Sequence, residues 1–286
     1  MTRSNLMLAP VGLLILLLSI VLLGCSENGA DEGATPAGDW LSLSVEGSPV
    51  ELSTAYDTGT VEIGTTGTTT FTVSNEGNAS VSLDGTDLGI GLTGTDAGQF
   101  SLDLSSTATT LAQGESTTFG LSFSPVGDIG SRSASVTLRS DADDTAYSFD
   151  LTGTAGGAII TVALWDGEVE TNLDNNDAVD YETVSGTEQR TFRIENAGNM
   201  PLSFSDILLD GPNGTDNDTP TEDSFYWDSL PNQDALAPGS TRELIVALRN
   251  QSYSGGEPAS AALSINSNSL GDGLNEFTLN LSATLY

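Results

Sequence analysis

The chain has 286 residues, and its 40 aspartates and glutamates outweigh seven cationic side chains, all of them arginine, for a formal net charge of −33. Polyanions attract proteins through lysine and arginine, so nucleic acid is excluded as a partner, as are anionic lipid headgroups recognised by charge. With no histidine, no lysine and a single cysteine, the chain has no Ser-His-Asp or Cys-His arrangement and no histidine-based metal site.

The first segment has a short polar start carrying Arg3, then the apolar run Val11 to Leu23, broken only by Gly12 and Ser19. That is the layout of a secretory signal. Two other readings fit the same residues: an uncleaved membrane span over Leu6 to Gly24, which is about long enough to cross a bilayer, and an ordinary cleaved signal followed by an incidental cysteine. The run ends in Leu22-Leu23-Gly24-Cys25, and this resembles the bacterial lipobox. The resemblance implies that residues 1–24 are a lipoprotein signal peptide and that Cys25 becomes the first mature residue. It further implies a diacylglyceryl group on Cys25, often joined by a third chain on the new amino terminus. Cys25 is the only cysteine and has no internal disulfide partner, so lipidation supplies its role. Two or more acyl chains hold stably where one is marginal, each buried methylene contributing about 0.8 kcal/mol. Ser26 after the cysteine resembles the outer-membrane sorting signal of Gram-negative lipoproteins. The expected location is therefore extracytoplasmic, at the outer membrane or cell surface.

Residues 25–39 are small, polar and acidic with no apolar period, which reads as a flexible tether. From Trp40 onward, short alternating runs take over. Leu41 to Val45, Thr70 to Val73, Ser80 to Leu83, Phe119 to Phe123 and Ser135 to Leu138 all alternate with period two. Such runs predict strands with one face in a core, no helical period of useful length competes, and turn residues between them predict sandwiches. The hydrophobic fraction of 37% is below the usual range, and Ser, Thr, Gly, Asn and Asp fill the gap, as in β-rich secreted proteins. The fold class is all-β.

An internal repeat organises these strands. Thr70-Phe71-Thr72-Val73-Ser74-Asn75-Glu76-Gly77-Asn78 returns as Thr191-Phe192-Arg193-Ile194-Glu195-Asn196-Ala197-Gly198-Asn199. Leu111 to Ser116 corresponds to Leu236 to Thr241, and Phe149 to Thr154 to Phe277 to Ser282. Each copy is long enough to bury its own core. The prediction is two tandem immunoglobulin-like β-sandwiches, residues 40–156 and 157–286, joined near Ala155-Gly156-Gly157. The shared Asn-x-Gly-Asn reads as a tight connection whose Asn and Gly tolerate positive φ, and Gly114 and Gly239 as turns opening into the next strand.

The order Phe71-x-Val73-x-Asn75-x-Gly77, then Leu111-Ala112-x-Gly114, then a strand ending Phe123-Ser124-Pro125, then Gly130 and Ala134 to Leu138, closing on Leu151-Thr152-Gly153-Thr154, resembles the immunoglobulin-like ASH module. Its bacterial versions are called choice-of-anchor D domains. The first copy matches across residues 58–154. The second departs from the pattern, with Leu248-Arg249-Asn250 in place of the Phe-x-Pro step and a longer acidic connection around residues 210–234. The resemblance implies surface or scaffold modules and brings no catalytic residues with it.

The remaining chemistry must come from carboxylates. Asp57-Thr58-Gly59 matches the aspartic-protease tripeptide, whose chemistry needs two carboxylates sharing a proton. No second copy exists: Asp228-Ser229-Leu230 lacks the glycine, and the repeat places Asp177-Ala178-Val179 opposite the first motif. Asp57 is expected to begin the turn before the strand Val61 to Ile63. Among so many acids, a glycosidase-like carboxylate pair discriminates nothing. Trp165 lies in an alternating strand and is expected in a core or domain interface, whereas Trp227, beside Phe225 and Tyr226 in the acidic connection, is a candidate for ligand contact. Two loops offer oxygen ligands of the kind calcium takes: Asp174, Asn176, Asp177 and Asp180 in one, and Asp216, Asp218, Glu222 and Asp223 in the other. The same residue types populate turns, and neither loop matches the EF-hand pattern. The acidity as a whole fits solubility, cation binding or a salty medium that screens self-repulsion, the last accounting best for zero lysine. The expected function is a non-enzymatic, lipid-anchored envelope protein presenting two domains to a protein or glycan partner, with calcium as the one conceivable cofactor. The alternative is a spacer subunit of an envelope assembly.

Overall fold

The computed structural model describes residues 41–51, 54–83, 89–141, 143–215, 224–251, 256–271 and 273–286. Cys25, the signal segment and the tether through Trp40 lie outside them, as do Asp216, Asp218, Glu222 and Asp223. Period-two alternation becomes burial directly: along Gly67–Asn75, the residues Phe71, Val73 and Asn75 are buried while Thr72 and Ser74 are not.

Eleven strands build the first sandwich: β1 (Leu41–Val45), β2 (Ser48–Pro49), β3 (Tyr56–Glu62), β4 (Gly67–Asn75), β5 (Val81–Ser82), β6 (Gly89–Thr93), β7 (Phe100–Asp103), β8 (Thr110–Leu111), β9 (Ser116–Phe123), β10 (Gly130–Ser140) and β11 (Asp143–Gly156). One sheet has the order β2-β1-β4-β9-β7 and the other β3-β11-β10-β6, with β5 and β8 forming a small separate pair. The second sandwich follows with β12 (Ile160–Trp165), β13 (Glu170–Leu173), β14 (Ala178–Val184), β15 (Thr187–Asn196), β16 (Phe204–Asp210), β17 (Ser224–Trp227), β18 (Thr241–Arg249), β19 (Glu257–Ser267) and β20 (Glu276–Leu285). Its sheets are β13-β12-β15-β18-β17 and β14-β20-β19-β16. The repeated segments occupy equivalent strands, β4 with β15 and β11 with β20. In each sandwich an early strand crosses to the second sheet and pairs parallel with the last strand, β3 with β11 and β14 with β20.

Those crossing strands carry matching bulges. Thr152 pairs with Asp57 but Thr154 with Thr60, and Ser282 pairs with Asp180 but Thr284 with Thr183, so each edge strand holds one extra residue. The aspartate makes the bulge: Asp57 Oδ1 accepts from the Gly59 amide at 2.9 Å, and Asp180 Oδ1 from the Glu182 amide at 2.9 Å. The third residue takes positive φ, +80° at Gly59 and 62° at Glu182. Asp57-Thr58-Gly59 therefore lies inside a strand rather than before one, as a kink that discourages further pairing at that edge. Its counterpart is Asp180-Tyr181-Glu182, three residues beyond the segment expected from the repeat. The glycine that marks the bulge in the first copy is a glutamate in the second, which hides the correspondence.

Each sandwich has its own core. In the first, Phe71 stacks on Phe119 at 5.1 Å, and Phe100 on Phe123 at 4.7 Å. The second is built around Trp227, Tyr181, Phe192 and Phe225. The acidic connection around 210–234 thus contains an edge strand, β17, whose Trp227 is 1% exposed. This overturns the expectation of ligand contact, because Phe225 and Trp227 face inward and complete the sheet beside β18.

At the end of each central strand sits a fully buried asparagine. Asn75 donates from Nδ2 to the carbonyls of Ala79 (2.8 Å) and Leu111 (2.9 Å), and its Oδ1 accepts from the Gly77 amide (2.9 Å). Asn196 repeats the set with Met200 (2.8 Å), Leu236 (2.9 Å) and the Gly198 amide (3.0 Å). The main chain joins in: Gly114 and Gly239 donate to the Asn75 and Asn196 carbonyls at 3.0 and 2.8 Å, at φ of +73° and +70°. The motif is therefore a clasp between two loops at the sandwich end rather than a positive-φ turn. Gly198 is needed for closeness, since a Cβ there would lie 2.3 Å from the Gly157 carbonyl oxygen.

That approach makes the junction. Asn199 accepts from the Gly157 amide at 2.8 Å and donates to the Ala155 carbonyl at 3.1 Å. The Gly157 carbonyl receives the Asn199 and Met200 amides, and the Gly156 carbonyl the Ile63 amide, at 2.9 to 3.1 Å. Linker and sandwich ends are thus hydrogen-bonded residue by residue.

Asn196→Ala leaves the Met200 carbonyl and the Gly198 amide without their partner, while the Leu236 carbonyl keeps the Leu202 amide. A loss of about 1–3 kcal/mol is expected in urea melts, from leaving polar groups unpaired; a loss under about 0.5 kcal/mol would show that the clasp is decorative.

Candidate functional site

In the acidic turn between β13 and β14, Asp177 and Asn175 direct side-chain oxygens to backbone amides. Asp177 Oδ2 accepts from the Asp174 amide at 2.8 Å, Asp180 is committed to its bulge, and Asn175 and Asn280 tie the turn to the 273–280 segment. Asn176 sits at φ 71°. Asp174, Asn176 and Asp177 share this turn and Asp180 lies in the strand beyond it. Among the described residues, no group of three or more His, Cys, Asp or Glu side chains is placed to hold a metal ion.

The outer face of the β13-β12-β15-β18 sheet is organised differently. Trp165, expected in a core or interface, is half-buried there, because inward Leu164 takes the core position beside it. The Arg193 guanidinium lies 4.1 Å from the indole centroid. Arg193 pairs with Glu170 on β13 and with Glu243 on β18, the latter at 2.8 Å, and these hydrogen bonds hold its ionisation above the usual guanidinium range. Arg190 pairs with Glu188 on the same strand. Every ion pair found among the described residues joins β15 to itself, to β18 or, across β12, to β13. No single signal in the sequence marks this cluster, since Glu170, Arg193 and Glu243 meet only through strand register.

Where β12 stops, a trough opens. The β12–β15 ladder ends at Trp165 opposite Thr191, while β15 continues back to Thr187 paired only with β18. The chain leaving β12 turns at Asp166, whose Oδ1 accepts from the Val169 amide (2.7 Å) and the Glu168 amide (2.9 Å); these bonds hold its carboxyl below the usual aspartate range. The trough has a volume of about 510 Å³ and is lined by Trp165, Asp166, Gln189, Arg190, Thr191 and Glu243 among others. A second cleft of about 480 Å³ opens in the first sandwich between Leu41, Leu43, Val50, Leu138 and Phe149; these are core and near-core side chains at an unsealed sandwich edge.

Two-sheet sandwiches with this connectivity define an all-β protein of immunoglobulin-like domains. Residues 49–153 match the family described as HYDIN/CFA65/VesB-like, Ig-like domain. No curated protein matches the chain. Among solved structures, a protein of unknown function from Porphyromonas gingivalis W83 is similar at 15% identity over 79% of this chain and 94% of its own, with a TM-score of 0.32. The ASH/PapD-like domain 7 of human CEP192 is similar at 15% identity over 45% of this chain and 94% of its own, with a TM-score of 0.27. The SafA pilin in complex with the SafB chaperone from Salmonella enterica is similar at 10% identity over 83% of this chain and 94% of its own, with a TM-score of 0.27.

Beneath the ion-paired strand, Tyr181 donates its hydroxyl to the Val246 carbonyl at 3.0 Å. Burial drives its ionisation far above the ordinary range, against the pull of the Arg190 guanidinium over its ring. The folded state holds this proton more tightly than the unfolded chain does, so the contribution is complete below about pH 10, the ordinary tyrosine value, and falls as pH rises beyond it. Urea melts at pH 8 and pH 11 are expected to show a larger alkaline loss in the parent than in Tyr181→Phe. That variant costs about 1 kcal/mol at pH 8 through its missing hydrogen bond. Equal alkaline losses would mean that Tyr181 is not the group responsible.

Proposed function

We propose that the chain is a non-enzymatic, lipid-anchored envelope protein that displays two immunoglobulin-like sandwiches of the ASH or choice-of-anchor D type to a protein or glycan partner. The observation that carries this reading is Leu22-Leu23-Gly24-Cys25, placed directly ahead of an acidic tether and tandem sandwiches in a chain without histidine or lysine. The lipid holds the protein at the outer membrane or cell surface. Intact-mass and peptide analysis of the full-length protein from a bacterial host tests the anchor. The mature chain is expected to begin at a diacylated Cys25 in the membrane fraction, with Cys25→Ala leaving the signal uncleaved. Retention of residues 1–24 in the parent, or a free thiol at Cys25, would falsify it.

The junction favours a second reading, a spacer in an envelope assembly, because a spacer must transmit position and here no linker residue between Ala155 and Ala158 is left unengaged. Gly198→Ala forces a methyl against the Gly157 carbonyl, an overpacking that costs about 1–3 kcal/mol. Small-angle scattering is expected to show one narrow distribution of sizes for the parent and a broader one for the variant. Identical profiles with unchanged stability would remove the spacer reading.

A further inference from the structure

We infer that the trough at the end of β12 is a binding site for a neutral carbohydrate. The inference rests on the display reading above and names the ligand class and the face that takes it. Local charge disfavours ionic ligands at this trough. Across a chain of net charge −33, this face gathers Glu170 and Glu243 around one guanidinium, Arg193, while Glu188 and Arg190 pair on the opposite side of β15. The Asp166 carboxylate is taken by the Val169 and Glu168 amides. Among the described residues no three acids gather to capture a cation, and an anionic ligand must enter the field of the remaining acids. A neutral polar ligand avoids both costs.

The lining suits a neutral sugar. A sugar ring presents an apolar face of C–H groups and a rim of hydroxyls, so it needs an aromatic surface beside hydrogen-bonding groups of both kinds. Trp165 lines the trough; Arg193 covers one face of its indole at 4.1 Å and fixes its orientation, and the face away from Arg193 is the surface offered to a sugar. A partly buried aromatic with an apolar body suits this kind of contact. Thr191 and Gln189 alternate with Arg193 along β15 and so share its face. Gln189 is exposed, with its Nε2 on Asp228 Oδ1 at 2.7 Å, which leaves the amide oxygen directed to other partners. Because β12 offers no partner before Thr191, the β15 edge from Thr187 to Arg190 adds backbone groups on that side. The volume of about 510 Å³ falls within the usual range for small-ligand sites.

The test uses the full-length lipoprotein in a zwitterionic detergent, which carries no sugar headgroup. The probes are an array of neutral hexose and N-acetylhexosamine oligosaccharides, uronate-containing oligosaccharides, and an octa-arginine peptide as cationic control. At least one neutral oligosaccharide is expected to bind and to perturb tryptophan fluorescence. Trp165→Ala is expected to weaken that binding at least tenfold, Trp165→Phe less. Since Trp165→Ala also removes the platform under Arg193, Gln189→Trp serves as a second variant: it fills the trough from an exposed strand position and is expected to abolish binding with the melting temperature unchanged. The inference is overturned if no neutral oligosaccharide binds, if only the uronates or the peptide bind, or if both variants bind as the parent does. A correctly diacylated protein that binds no neutral sugar overturns this inference alone, whereas sugar binding by a protein unmodified at Cys25 overturns only the anchor.

Discussion

A buried carboxamide at the end of each central strand ties two loops together through their backbone. β4 and β15 end where the chain turns away from its sheet, and the loop before β9 or β18 arrives from the other side. The carbonyls of Leu111 and Leu236 take an asparagine Nδ2 in addition to the short pairings of their own segments, Leu111 with β5 and Leu236 with Leu202. One side chain with two donors and one acceptor satisfies both loops, and in a low-dielectric interior such bonds are strong when complete and costly when broken. Aspartate could not do this, since it lacks the two donors.

The same clasp reaches further in the second copy. Its loop is pressed against residues 157–159 because residue 198 has no side chain, and Asn199 then grips the Gly157 amide and the Ala155 carbonyl. A motif that closes a sandwich end in one copy therefore also fixes where the second sandwich begins. The twin bulges at Asp57 and Asp180 act on the opposite problem. They kink the strands that cross between sheets, at the exposed edges where a flat ladder would invite another chain.

Electrostatics divides the surface unevenly. Most acids stand without a cation nearby, as they must when seven arginines face 40 carboxylates, and they keep such a protein soluble while raising its self-repulsion. Three of the arginines found in the second sandwich, Arg190, Arg193 and Arg242, lie over aromatic rings. Weakly hydrated guanidinium groups suit that position in a way ammonium groups do not, which gives one physical sense to a chain that has arginine and no lysine.

The sequence by itself determined the all-β class, the strands of alternating apolar residues and the equivalence of β4 with β15. Period-two burial and a repeated nonapeptide are local signals that survive without knowledge of partners. Asn75 and Asn196 were visible as repeated residues, but their role was not, because a buried amide and a turn amide look alike until the carbonyls they meet are known. Trp227 and the strand that carries it were concealed in an acidic connection, since burial there depends on pairing with β18 rather than on neighbours in the chain. Glu182 disguised a bulge that Gly59 announces. The face of Trp165, Arg193, Glu170 and Glu243 exists only in three dimensions: its residues come from four strands spread over more than 70 positions, roughly the span that register must bring together across a sheet. Local pattern specifies strands; which side chains then become neighbours is decided by strand order and register, and that is settled only when two sheets close over one core.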